Sequence, residues 1–287
     1  MNAFVTNFDT QYKKCHVSSA YRVADNGVGL YSIPEFDRLG WINHGFSSRI
    51  GGISTGFLSS LNLSFTRAFE PRDITMENYR IFCAGADIPV SSMVMDSYEH
   101  GATVRYVDRN DCGAGYTRPA LPFCDGLVTD DPAVTLVTGH ADCMPFYFID
   151  PVHKAIGLAH AGWRGALKRI GASVIDKMAE MFSTRPSDVL CAVGPSICFN
   201  CFEVGEDVAK LFVDAFPYDG LYKQGKPGKA YIDLWRVAAA QMMEKGVLPS
   251  NIYLMGVCTY EDDKLYSHRR DRGNTGGMSA YLGIISV

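Results

Sequence analysis

The chain has 287 residues, 47% of them hydrophobic, and carries a net charge of −4. That length buries a substantial core, and a weakly acidic balance without blocks of like charge argues against an electrostatic nucleic-acid or anionic-membrane surface. No apolar run approaches the ~20 residues of a membrane span, and Met1 to Lys14 is polar, unlike a secretory signal, so a cytoplasmic protein is expected.

Residues 1 to 40 are the least typical stretch, with Tyr31 to Pro34 expected as a first strand. Gly51, Gly52 and Gly56 mark a loop. Residues 134 to 138 and 144 to 149 are short, rich in Val, Phe and Tyr, and predict buried strands. A turn at Pro151 leads into a further strand from Lys154 to Ala159. Leu167, Ile170, Val174, Met178 and Met181 fall at helical spacing and predict one helix from Trp163 to Phe182, closed by Arg185-Pro186. Val189 to Val193 predicts a strand ending at Gly194-Pro195. Helices follow at 206 to 216 and 233 to 245, the second capped by Gly246. Strands at 252 to 257 and 281 to 287 complete the pattern. Alternating strands and helices argue for a layered α/β domain.

Nine cysteines is an odd number, scattered over a chain too large to need disulfide staples, so reduced thiols are expected. Cys198 and Cys201 form a CxxC, but no second CxxC and no thioredoxin-like context accompany it. A structural or incidental role is expected there.

Two strands joined by a tight turn would bring Cys143 back beside His160. A thiolate next to an imidazole suggests either a metal site or a Cys/His nucleophile pair, and these residues alone leave both open. Asp142, a carboxylate in an apolar run, requires a partner; it either orients a neighbouring ligand or handles a proton. Arg164 opens a helix, where an anion such as phosphate is favoured, with a salt bridge holding the helix start as the plainer reading. Arg49 on the glycine loop is a second anion candidate, and Asn62 offers donors and acceptors to a ribose or base. The glycine loop lacks the P-loop pattern. His140 is read either as an extra polar group at the site rim or as a loop residue, the loop reading being favoured, and His268 is given no catalytic role. Arg269, Arg270 and Asp271 read equally as a buried ion-pair cluster or as substrate contacts.

Several of these segments, in order, resemble one family. They are Arg49 to Ser54 with Ser60-Leu61-Asn62-Leu63, Asp125 to Thr129, Ala141-Asp142-Cys143-Met144-Pro145 and His160-Ala161-Gly162-Trp163-Arg164-Gly165. Phe202 to Gly205, Asp233-Leu234-Trp235, Cys258-Thr259-Tyr260 and Ser267 to Asp271 continue the set. They are similar to the bacterial laccase-domain family, also called polyphenol oxidase-like and purine nucleoside phosphorylase. The resemblance implies a single domain over residues 1–287, a layered α/β sandwich with a mixed β-sheet. It implies a zinc ion bound by His100, Cys143 and His160. Only His100-Gly101 survives of the family's Gln-Val-His-Gly, since Tyr98-Glu99 replaces Gln-Val. Cys198 likewise stands where the family has glycine.

The activity so implied is phosphorolysis of adenosine, inosine, guanosine and methylthioadenosine, with deamination of adenosine. Its partners are purine nucleosides and phosphate, acting on a monomer or small homo-oligomer. Cys143 and Asp142 are the catalytic candidates, and Arg49, Asn62 and Arg164 the substrate and phosphate candidates. Three protein ligands and an open position suit a catalytic zinc that activates water. A copper-dependent phenol oxidase is the alternative. It needs many histidines, whereas this chain has seven and no His-x-His pair, although a single His/Cys/His site has affinity for copper. A Cys/His hydrolase acting on peptidoglycan precursors and a non-enzymatic binding module are the remaining readings.

Overall fold

A computed structural model describes residues 7–67 and 69–285. Its centre is the hairpin Met144–Asp150 and Ala155–Ala161, every residue of which is buried. Burial on both faces explains why these strands read as continuous apolar runs rather than alternating ones. Met144, Phe146, Phe148, Ala155, Ala159 and Ala161 face a helical layer. Tyr147, Ile149, Ile156 and Leu158 face a second sheet. Slipping the hairpin by one residue would exchange those two sets, so its register is firmly fixed.

The hairpin lies inside a seven-stranded mixed sheet. Leu190–Val193, Ile252–Leu254 and His16–Val17 extend it on one side, Gly126–Thr129 and Val104–Tyr106 on the other. Helices Ile170–Phe182, Glu206–Ala215 and Leu234–Glu244 cover its outer face. A six-stranded mixed sheet packs on the inner face, in the order Ala20–Val23, Gly29–Ser32, Ile42–Ser47, Met278–Ile284, Thr135–His140, Met93–Met95. Helix Arg72–Gly85 covers its far side through Tyr79, Phe82 and Cys83. The result is a four-layer α/β sandwich in which the expected mixed sheet is two mixed sheets. A small antiparallel sheet of Glu203–Gly205, Lys229–Ile232 and Tyr222–Gln224 is appended. Among the described residues no helix is long and apolar enough to cross a membrane.

Four expectations change, and one is the strand expected at 252 to 257, which spans only Ile252–Leu254. The helix expected from Trp163 to Phe182 is two, Trp163–Leu167 and Ile170–Phe182, because Arg169 adopts a left-handed conformation at φ 63°. The Arg169 guanidinium is held there over the Phe216 ring, by the Ala215 carbonyl and by Glu244. The strand around Tyr31 spans Gly29–Ser32 and is preceded by two others, while Pro34 opens a one-turn helix instead. The last strand begins earlier, at Met278; residues 286 and 287 lie outside the described residues.

Candidate metal centre

The two mixed sheets meet at one end of the sandwich, and two crossing segments carry the chain between them there. One runs from Met95 to Val104 and carries His100; the other runs from His140 to Met144 and carries Cys143. The hairpin register pairs Ala161 with Met144 and His160 with Pro145, so His160 stands beside Cys143. The ligand atoms of His100, Cys143 and His160 all lie within 4.8 Å of one another. Gly162 makes that approach possible. A Cβ there would lie 2.4 Å from His100 Cδ2 and 3.2 Å from Cys143 Sγ.

The His160 ring decides what the cluster can hold. Its Nδ1 lies 2.7 Å from the Gly139 carbonyl, which can only accept, so Nδ1 carries the proton. Nε2 is therefore a bare lone pair, and it is buried without any hydrogen-bond partner among the described residues. A buried nitrogen left bare beside a thiol and a second imidazole is the arrangement that metal ligation satisfies. Burial drives the His160 pKa well below its ordinary value, with His140 and His100 nearby adding to the effect, so the ring stays neutral. Burial also lowers His100, opposed by Asp125 and assisted by Arg164. Burial, with the Asp142 carboxylate alongside, pushes the Cys143 thiol up to about 12; a cation would reverse that and bind the thiolate. One soft thiolate and two imidazoles fit zinc, and also copper.

Asp142 adopts φ 85°, turning the chain from one sheet toward the other. Its Oδ1 accepts from Thr259 Oγ1 at 2.6 Å and its Oδ2 from the Arg269 N–H at 2.7 Å. The partner it required is thus the pair of C-terminal loops, and it fixes them against the cluster.

A cavity of about 470 Å³ opens on the cluster, within the ~300–1,000 Å³ range of small-molecule sites. Asp142 and Arg164 line it. Arg164 stacks over Trp163 and, among the described residues, makes no ion pair, so the salt-bridge reading of it is set aside. Arg49 and Asn62 do not line it. Arg49 donates to the Ser59 and Phe57 carbonyls at 2.8 and 3.0 Å and stacks on Tyr266, bracing the glycine loop. Asn62 is fully buried, donating to Glu70 and accepting from the Ser64 and Gly277 N–H groups. Both expectations mistook loop braces for ligand contacts, because a polar side chain beside glycines serves either purpose.

His140 is also corrected. It ends the strand Thr135–His140, is 3% exposed and stacks on His160 at 4.9 Å. It donates through Nδ1 to the Cys143 carbonyl and accepts from Thr138, and burial pushes its pKa down to about 3. His268 lines the cavity and bonds Arg67. Arg269 lines it as well, whereas Arg270 pairs with Asp271 and donates to four backbone carbonyls. The two readings of that segment divide between its residues.

Four contributors were missed. Tyr98 stacks on His160 at 4.0 Å, nearly parallel, at the position where the resemblance fails. Asp125, fully buried, accepts from the Glu99 and Gly101 N–H groups on either side of His100, while its carbonyl accepts from His160 N–H. It therefore ties two of the three clustered residues together, and an acidic residue opening the run Gly126–Thr129 was the available signal. Arg67 and Tyr98 also line an adjoining chamber of about 310 Å³ that reaches Asp96. Burial holds the Asp96 carboxyl well above its ordinary pKa, and its Oδ2 has no partner among the described residues.

A family model described as multi-copper polyphenol oxidoreductase laccase matches residues 43–285. The purine nucleoside phosphorylase YlmD of Geobacillus stearothermophilus is 34% identical over 244 residues, 83% of this chain and 89% of its own length. A purine nucleoside phosphorylase of Deinococcus radiodurans is 35% identical over 243 residues, 85% of this chain and 89% of its own. The crystal structure of YlmD from Geobacillus stearothermophilus superposes with a TM-score of 0.86 at 31% identity, covering 93% of this chain and 99% of that one.

Proposed function

This chain belongs to the multi-copper polyphenol oxidoreductase laccase family, and we propose that it is a zinc-dependent purine nucleoside phosphorylase that also deaminates adenosine. The observation carrying this reading is the bare, buried Nε2 of His160 facing His100 and Cys143 at the floor of a cavity lined by arginines. The names of the similar proteins supply the substrate class.

His100, Cys143 and His160 would hold the metal, which supplies Lewis acidity toward water or a substrate oxygen when bound. Arg164 and Arg67, which both line the cavity, hold phosphate against the ribose. In phosphorolysis a phosphate oxygen forms a bond to the anomeric carbon as the glycosidic C–N bond breaks. The bonding pair leaves with the purine, which then takes up a proton. Asp96, whose carboxyl burial pushes well above the ordinary carboxylate range, lines the adjoining chamber and is the donor this reading assigns. Tyr98 and Phe202 are aromatic residues of the lining from which contacts to the base would come.

The histidine arrangement speaks against a multicopper oxidase. His16 bonds the Ser250 carbonyl, His44 the Ile33 N–H, His153 Asp150, His268 Arg67 and His140 Thr138 and Cys143. Only His100 and His160 gather as metal ligands among the described residues. A Cys/His hydrolase needs a thiolate stabilised by its partner, whereas here the thiol is pushed up to about 12 beside a neutral imidazole.

Purified protein incubated with adenosine and phosphate should yield adenine and ribose 1-phosphate, and without phosphate inosine and ammonia. Cys143→Ala should abolish metal binding at the cluster of His100, Cys143 and His160 and deamination together. Inactivity on every purine nucleoside, with copper-dependent oxidation of phenols instead, would replace this reading with the oxidase.

A further inference from the structure

The CxxC thiols expected to be incidental have partners. Cys198 and Cys201, in the loop after Leu190–Val193, meet Cys258 and Glu261, in the loop after Ile252–Leu254. The two loops are laced together: Ser196 N–H donates to the Val257 carbonyl at 3.1 Å and Thr259 N–H to the Ser196 carbonyl at 3.2 Å. One ligand atom from each of the four side chains lies within 4.8 Å of all the others. Cys198 Sγ and Cys201 Sγ stand 3.7 and 3.3 Å from Glu261 Oε1. A tetrahedron with Zn–S of ~2.3 Å and Zn–O of ~2.1 Å has edges of about 3.5–3.8 Å. The two sulfur–oxygen distances therefore already stand close to the spacing that one ion would impose.

The Cys198 backbone N–H points at Cys258 Sγ, 3.4 Å away. Among the described residues Glu261 has no lysine, arginine or histidine within ion-pairing distance, so its carboxylate faces sulfur without a cation. Cys258 is buried, while Cys198 and Cys201 are partly exposed and Glu261 is exposed, which leaves an entry for an ion from solvent.

We infer that Cys198, Cys201, Cys258 and Glu261 form a second metal site, for zinc, distinct from the cluster of His100, Cys143 and His160. Binding converts up to three thiols to thiolates and releases their protons to solvent. Four protein ligands close the coordination shell, which marks a structural rather than a catalytic ion. What it would hold in place is the back wall of the cavity. Ile197 N–H donates to the Asp142 carbonyl at 3.0 Å and Thr259 Oγ1 to the Asp142 carboxylate, so both loops end on the residue beside Cys143. Ile197 and Phe202 line the cavity itself.

The test is elemental analysis of the full-length protein purified reduced and without chelator. Wild type should carry two zinc ions per chain, and Cys198→Ser/Cys201→Ser and Cys143→Ala one each. Cobalt supplies an independent readout, since thiolate-to-cobalt charge-transfer absorption grows with the number of sulfur ligands. Strong bands should persist in Cys143→Ala and disappear from the CxxC variant. If that variant fails to fold, Glu261→Gln should remain folded and lower the affinity of the remaining ion in a Cys143→Ala background. A wild type with one zinc, lost from the CxxC variant but kept by Cys143→Ala, would uphold this site and refute the other. Cys143→Ala without zinc or cobalt bands, or a Cys198–Cys201 disulfide in freshly isolated reduced protein, would overturn the proposal.

Discussion

Gly162→Ala tests the metal centre without touching a ligand. Gly162 has φ −68° and ψ 167°, a conformation open to any residue, so alanine introduces no backbone strain. The added Cβ would stand 2.4 Å from His100 Cδ2 and 3.2 Å from Cys143 Sγ. Ordinary carbon–carbon contacts begin near ~3.5 Å, so the imidazole has to retreat by about 1 Å. Metal sites tolerate only ~0.2 Å in ligand distance. Changes just outside the ligands already cost about 10–100-fold in metal affinity, or roughly 1.4–2.7 kcal/mol, and a displaced ligand should reach at least that. His100 sits on a half-buried loop, so the metal-free fold should change by less than about 1 kcal/mol. The assay is competition with a chelator of known affinity, alongside a thermal melt of the metal-free protein. An unchanged metal affinity would refute the geometry, and a metal-free fold weakened by several kcal/mol would show the collision falling elsewhere.

Asp125→Ala strands the N–H groups of Glu99 and Gly101, at about 1–3 kcal/mol each, and should release the metal; Asp125→Asn keeps the accepting oxygen and should restore both urea stability and zinc content. Arg164→Ala should raise the KM for phosphate about 10–100-fold, the weight of a hydrogen bond to a charged group, with little change in melting temperature. Arg49→Ala should do the reverse, costing about 1–3 kcal/mol in urea melts while leaving the phosphate KM alone, because its donors serve Ser59 and Phe57. For Asp96, the fold favours the protonated carboxyl while the unfolded chain ionises near pH ~4. The native state then binds more protons, so wild-type stability falls as pH rises from about 4, and Asp96→Asn should remove that part of the slope. A stability–pH curve identical in the two proteins would contradict the buried-acid assignment. The same variant should lower kcat for phosphorolysis about 100-fold or more if Asp96 is the proton donor.

The strands of the central hairpin are legible because an apolar run of six or seven residues bounded by Pro151 and Gly162 has few other uses. That pattern by itself places Cys143 beside His160, since strand pairing is local and its register is fixed by burial. His100 came from the resemblance alone; nothing in its own surroundings distinguishes it from a surface histidine. The break at Arg169 could not be read, because its left-handed backbone is held by Phe216 and Glu244, remote in sequence. Arg49 and Arg164 look alike in sequence, each an arginine beside small residues at an element boundary. Only the packing of loop 57–60 against one and the open cavity beside the other tell a brace from a cation that makes no ion pair among the described residues. The same holds for Cys198-x-x-Cys201, whose partners Cys258 and Glu261 lie some sixty residues away and arrive through the parallel pairing of two strands. Periodicity and local pairing are written along the chain, whereas a site built across two sheets depends on side chains whose neighbours no local pattern encodes.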